Sequence, residues 1–213
     1  MKLSLVPFLV LSVFHLMGLA LEEETLRMLT KPLLIPALSW HYWQQTATPD
    51  RGLLIALFFS FLGDVFLLKS TSLFFLLGLG SFLAAQILYT LKMGERILKI
   101  RKDLLVAAFP LLGYASVLLY LLLPKLGMLM PAVLIYTFAI CCFGILSITY
   151  WLQNPKKGQP IIAGSLLFVF SDSMLALNQF YFGSDFFGPG VMTTYLGAQY
   201  FIVTFFTRES IAE

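Results

Sequence analysis

The chain has 213 residues, 59% of them hydrophobic and 12% charged, with a mean hydropathy of +0.88 and a formal net charge of +3. Soluble domains are nearer half apolar and a quarter charged, so this composition excludes a soluble globular fold and makes lipid the main solvent. The small positive excess gives no basis for nucleic-acid binding, and Cys141 and Cys142, adjacent within an apolar stretch, are poorly placed for a structural disulfide.

A helix of about 20 residues crosses a ~30 Å hydrocarbon layer. Eight such segments fill most of the chain, which predicts an all-α polytopic membrane protein with eight transmembrane helices in a single integral membrane domain, residues 1–213. The first helix, 3–21, lies between Lys2 and Glu22-Glu23-Glu24. Its Gly18-Leu19-Ala20 also suits a signal-peptide cleavage site, but the apolar spans that follow at once favour a retained helix. His15 within it reads as a hydrogen-bonded packing residue. The second helix, 31–43, is opened by Thr30-Lys31-Pro32, since proline suits a first helical turn, and carries Trp40, His41 and Trp43 where an aromatic interface belt belongs.

The third helix, 52–68, is apolar or small apart from Ser60 and one ionisable group, Asp64. The fourth, 73–93, sets Phe82, Gln86 and Tyr89 on one face. The fifth and sixth are predicted at 103–123 and 128–152, the sixth with no visible inward face. A turn-rich loop at 153–160 leads to the seventh, 161–182, which carries Asp172; the eighth, 191–207, has Tyr195 and Gln199 one turn apart.

Basic residues orient such a bundle, because loops rich in Lys and Arg stay in the cytoplasm. Ten of the fourteen, Lys2, Arg51, Lys92, Arg96, Lys99, Arg101, Lys102, Lys156, Lys157 and Arg208, fall on the side shared by both termini; Arg27, Lys31, Lys69 and Lys125 fall on the other. The reading is a multi-pass protein of a bacterial inner membrane with both termini cytoplasmic. In that topology the third and seventh helices run the same way, and each aspartate lies ~18 Å from the cytoplasmic end, just past the midplane. Leu57-Phe58-Phe59 and Ser165-Leu166-Leu167 precede the two acids at one offset, and Ala85-Gln86 echoes Ala198-Gln199. This pattern predicts an internal duplication of four plus four helices, with the two carboxyls within about 10 Å of each other.

A carboxylate in hydrocarbon costs roughly 2.5–3.5 kcal/mol on insertion scales. Asp64 and Asp172 are therefore candidate catalytic groups, whereas Ser60, Gly63, Ser165, Ser171 and Ser173 read as packing positions. The one plausible basic partner is Lys31. Two neighbouring carboxyls titrate as a pair and place a general acid beside a general base. A zinc hydrolase wants three protein ligands, and His15 and His41 stand on separate helices, so neither metal nor cofactor is expected. Leu62-Gly63-Asp64 and Phe170-Ser171-Asp172 lack the Gly-x-Gly-Asp and Tyr-Asp contexts of intramembrane aspartyl proteases. Metal-free acid–base hydrolysis is the leading reading, and a lipid or small-solute transporter with proton-binding midplane aspartates is the alternative.

Four blocks in register carry a family resemblance: Thr30-Lys31-Pro32-Leu33-Leu34, residues 60–67 (SFLGDVFL), residues 164–172 (GSLLFVFSD) and Thr194-Tyr195-Leu196-Gly197-Ala198-Gln199. Together they resemble the YhhN family of lysoplasmalogenases, small eight-helix membrane proteins. The resemblance implies a hydrolase that cleaves the vinyl ether bond of lysoplasmalogens, releasing a fatty aldehyde and a glycerophospho-base. Its substrate would be an alkenyl glycerophosphoethanolamine or glycerophosphocholine, with membrane lipid around it. On this reading Asp64 and Asp172 carry catalysis, Lys31 holds the phosphate, and Gln86, Tyr89, Tyr195 and Gln199 contact substrate. Gln86 departs from relatives that have histidine there.

Overall fold

The fold is that of a computed structural model, described for residues 2–69, 71–97, 102–184 and 186–212; Lys99 and Arg101, both counted in the charge asymmetry, lie outside the described residues. Among those residues the chain is helical with no strand. A 3₁₀ turn at Leu3–Leu5 leads into α1 (Val6–Ala20), followed by α2 (Glu24–Gln45), α3 (Arg51–Phe66), α4 (Ser72–Gly94) and α5 (Lys102–Leu126). A second 3₁₀ turn, Gly127–Leu129, leads to α6 (Met130–Gln153), then α7 (Gln159–Ala176), continued by a π-helical segment Leu177–Phe182, and α8 (Gly188–Ala212).

Four helical stretches are long and apolar enough to cross a bilayer: Leu3–Ala20, Ser72–Gly94, Lys102–Gln153, which joins α5 to α6, and Gln159–Phe182. The protein is therefore an all-helical membrane protein. Outside this set, α3 is shorter, at 16 residues, α2 carries Glu24, Arg27 and Lys31, and α8 is diluted by Gly, Thr and Gln and ends in charged residues.

Helix α2 corrects the sequence reading, which starts it at residue 31. It begins at Glu24 and runs through Pro32 and Pro36. An acidic residue in the first turn complements the helix dipole. Each internal proline removes one backbone donor, and the helix tolerates both. The Thr30 hydroxyl bonds the Leu26 carbonyl at 2.6 Å and the Ser39 hydroxyl the Ile35 carbonyl at 2.8 Å, within the same segment. Helix seven also differs from expectation: the α-helix stops at Ala176, and the remainder of the predicted span is π-helical. The other helices shift by one to five residues at their ends, where pattern reading is least sharp.

Two compact units partition the chain, Met1–Leu88 with Val203–Glu213, and Tyr89–Ile202, so the boundary falls within α4 and α8. In the first unit α1 packs along α2, and α2 along α3. The α1–α2 turn is a Schellman motif: Glu23 N–H bonds the Gly18 carbonyl at 2.8 Å, Glu22 N–H reaches the Leu19 carbonyl at 3.4 Å, and Glu22 takes φ 57°. In the second unit α5 and α6 pair through a turn in which Gly127 takes φ 51°, and α6 packs on α7. Helix α8 comes close to α7 at Gly164, where a Cβ would stand 3.0 Å from the Ile202 nitrogen and 3.1 Å from the Ala198 carbonyl oxygen.

The left-handed position of Glu22 is one that glycine fills without strain, and a non-glycine residue there costs roughly 1–2 kcal/mol. Glu22→Gly is accordingly expected to raise the unfolding free energy of detergent-purified protein by about 1 kcal/mol, read as a higher melting temperature. A lower one would mean that the glutamate side chain has a stabilising contact of its own.

Candidate functional site

In the first unit the approach to Asp64 is fixed at both ends of a short loop. Asp50 caps α3 by accepting from the Leu53 N–H at 3.1 Å, and its own N–H donates to the Tyr42 hydroxyl at 2.9 Å. Along α3 the residues Leu53, Leu57, Ser60 and Asp64, spaced four, three and four apart, form the buried stripe expected of a 3.6-residue period. Asp64 is 2% exposed, and the Ser60 hydroxyl is enclosed with no hydrogen-bond partner among the described residues. Gly63 makes room for this packing, since a Cβ on it would stand 2.5 Å from the Phe82 ring of α4. Lys31, half-buried in α2, and Gln86, fully buried in α4, belong to the same unit.

Both histidines are in this unit. His15 is buried, with Nδ1 2.9 Å from the Thr30 hydroxyl, the packing role its position suggests. His41 differs from the aromatic belt expected around it. Trp40 and Trp43 are exposed, but His41 turns inward, with Nδ1 2.8 Å from the Ser4 hydroxyl, which in turn accepts from the Gln45 amide at 2.9 Å.

The second unit holds Asp172 on a stripe of the same spacing, Ile161, Ser165, Phe168 and Asp172 along α7. Here the residue is half-buried. The Tyr136 hydroxyl of α6 donates to Asp172 Oδ2 at 2.5 Å. Sequence reading misses Tyr136 because the hydroxyls and apolar residues of α6 show no separated faces to the eye. A signal is present nonetheless: Val133, Tyr136, Ile140, Phe143, Ser147 and Tyr150 repeat at alternating intervals of three and four and are all buried. The helix partners of Asp172 are tied down in turn. Ser171 donates to the Val191 carbonyl of α8 at 3.0 Å, and Asn178 in the π segment accepts from the Phe187 N–H at 3.1 Å. Single-turn π segments recur near functional positions.

Of the residues proposed to contact substrate, the structure brings Tyr89, Tyr195 and Gln199 together in the second unit. The Tyr89 hydroxyl donates to Gln199 Oε1 at 2.9 Å, and Gln199 Nε2 donates to the Tyr195 hydroxyl at 3.4 Å. All three are buried, the Tyr195 ring stands edge-on to Phe168, and Tyr89 tilts against Phe143. These contacts fix the orientation of the Gln199 amide, because its oxygen faces a donor and its nitrogen an acceptor. The network braces α8 directly behind the residue one turn before Asp172. Asp64, Lys31 and Gln86 lie in the other unit.

Removing the Tyr89 hydroxyl leaves the Gln199 oxygen without this donor in a buried setting. Tyr89→Phe is expected to lower the unfolding free energy by about 0.6–2 kcal/mol, seen as a lower melting temperature in detergent. An unchanged value would show that the bond contributes nothing net.

No protein of curated function and no solved structure matches the chain. The profile of the YhhN family matches residues 26–205, a stretch that takes in α3 and α7 whole with both buried-stripe aspartates. The chain belongs to the YhhN family.

Proposed function

We propose that this protein is a membrane-embedded lysoplasmalogenase-type hydrolase that cleaves the vinyl ether bond of a lysoplasmalogen. The observation that carries the reading is an acid on the inward stripe of each of two apolar helices, α3 and α7, within a chain of the YhhN family. In this reading the eight helices all span the membrane as a four-plus-four duplication, with both termini cytoplasmic, and Asp64 and Asp172 serve one reaction.

The chemistry is balanced with two carboxyls and one water. A protonated aspartate delivers its proton to the alkenyl carbon distal to the ether oxygen, and the double-bond electrons form the new C–H bond. The resulting oxocarbenium ion is steadied by the other aspartate as carboxylate. That carboxylate takes a proton from water as the water oxygen bonds the cationic carbon. The hemiacetal then collapses: the second aspartate, now protonated, gives its proton to the glycerol oxygen, which leaves as an alcohol, while the first takes the hydroxyl proton as the C=O bond of the aldehyde forms, so both carboxyls return to their starting states. The division of labour parallels that of paired carboxylates in glycoside hydrolysis. Lys31 supports the reading as a cation for the lysophospholipid phosphate, acting as a point charge.

Two measurements test this. Asparagine keeps size and hydrogen bonding but neither donates a carboxyl proton nor bears negative charge. Asp64→Asn and Asp172→Asn are each expected to lower turnover of alkenyl lysolipid by ~10²-fold or more, with thermal stability equal to or above wild type because an amide is cheaper to bury than a carboxylate. Near wild-type turnover by either variant removes that aspartate from the mechanism; by both, it leaves the transporter alternative. For Lys31, loss of a phosphate contact made equally in ground and transition states raises KM with little change in kcat. Lys31→Ala with unaltered KM would instead mark Lys31 as an interfacial anchor.

A further inference from the structure

The hydrogen bond to Asp172 says more than that the residue is held. A phenol is a far weaker acid than a carboxyl, with reference values of about 10 against about 3.9, so in this pair the tyrosine is the donor and the carboxyl oxygen the acceptor. Tyr136 is buried, on the inward stripe of α6, and the helix it belongs to packs along α7. Its ring therefore has little freedom to release the bond. Oδ2 of Asp172 is bonded to the Tyr136 hydroxyl at 2.5 Å. No hydrogen bond to Oδ1 is found among the described residues, and the residue is half-buried. Asp64, by contrast, is almost wholly enclosed.

We propose that Tyr136 is the positioning residue of Asp172: its hydroxyl engages Oδ2, fixes the plane of the carboxyl, and leaves Oδ1 as the oxygen that exchanges a proton with substrate or water. This deepens the hydrolase reading and rests on it for the identity of the reaction. Either role of Asp172 uses the same atom. As an acid it carries its proton on Oδ1, because Oδ2 is occupied by a donor. As a base it receives the proton there for the same reason. Without Tyr136 the carboxyl rotates about its Cβ–Cγ bond and presents either oxygen, so that fewer bound complexes are productive while substrate binding is little changed. Proton transfer is steeply dependent on such alignment.

Tyr136→Phe deletes one oxygen and keeps the ring that packs between α6 and α7. Two readouts are made on the full-length protein in detergent. The first is infrared difference spectroscopy of the Asp172 carboxyl, its band identified by disappearance in Asp172→Asn. The second is steady-state kinetics on alkenyl lysolipid. The expected result is a displaced Asp172 band together with kcat lowered about tenfold or more and KM within about twofold of wild type. Tyr136→His, which keeps a ring donor, is expected to recover part of the loss. An unmoved band, or unaltered kcat in Tyr136→Phe, overturns the proposal. Should wild-type protein release no aldehyde, the hydrolase reading fails, and the infrared band alone then decides whether Tyr136 sets the carboxyl. A Tyr136→Phe protein that does not fold is replaced by Tyr136→Met, which likewise lacks a donor and is expected to displace the same band; an unmoved band in it overturns the proposal.

Discussion

Burial of a carboxyl on an apolar helix is the constraint on which the rest of this structure depends. Asp64 is 2% exposed on the inward stripe of α3, and a charge so placed is expensive unless its surroundings are built for it. Around Asp64 the first unit packs closely, with Gly63 admitting the Phe82 ring and the capped, tyrosine-tied loop before α3 holding the helix in register. The second unit takes a different course with Asp172. One oxygen is bonded to Tyr136, the neighbouring Ser171 is pinned to α8, and the residue as a whole is half-buried. The same residue type at the same place in a repeated spacing is thus almost wholly enclosed in one case, and half-buried with a tyrosine hydroxyl on one oxygen in the other.

Helix packing around the acids follows from the need to satisfy polar groups without water. Buried hydroxyls of Ser12, Ser147, Ser173 and Thr207 bond the carbonyl one turn back, which lets polar residues sit on apolar helices at small cost. Where helices must come closest, glycine replaces the side chain, as at Gly164 against the α8 backbone. The Tyr89–Gln199–Tyr195 chain completes the pattern in the second unit by pairing the Gln199 amide with a fixed donor on one side and a fixed acceptor on the other. Rigidity behind the α7 stripe is the mechanical consequence.

Much of this is legible in the chain. Composition alone requires a membrane protein, and the isolation of Asp64 and Asp172 in apolar segments marks them by residue type alone. The 4-3-4 stripe that ends at each acid is a periodicity, so it is readable in principle as Leu53-Leu57-Ser60-Asp64 and Ile161-Ser165-Phe168-Asp172. Tyr136 escapes such a reading, because α6 carries hydroxyls at Tyr136, Thr137, Ser147, Thr149 and Tyr150 and none stands out from the others; only the packing of α6 on α7 selects it. The start of α2 is misplaced for a related reason. Proline at residue 32 is a good first-turn residue by local rule, but the segment from Glu24 is helical through it, since the tertiary pairing of α1 with α2 outweighs one lost donor. His41 likewise joins the belt on sequence grounds, while its bond to Ser4 depends on the chain's first turn folding back beside α2.

Carbon protonation by an aspartate is the step proposed to break the vinyl ether. The most direct test is incubation of detergent-purified wild-type protein in deuterated water with 1-alkenyl lysophospholipid, beside its saturated 1-alkyl counterpart, with mass analysis of the products. The account predicts fatty aldehyde from the alkenyl lipid alone, carrying one deuterium on the carbon next to the carbonyl. Absence of aldehyde in micelles, or equal release of chains from the alkyl lipid, would contradict it.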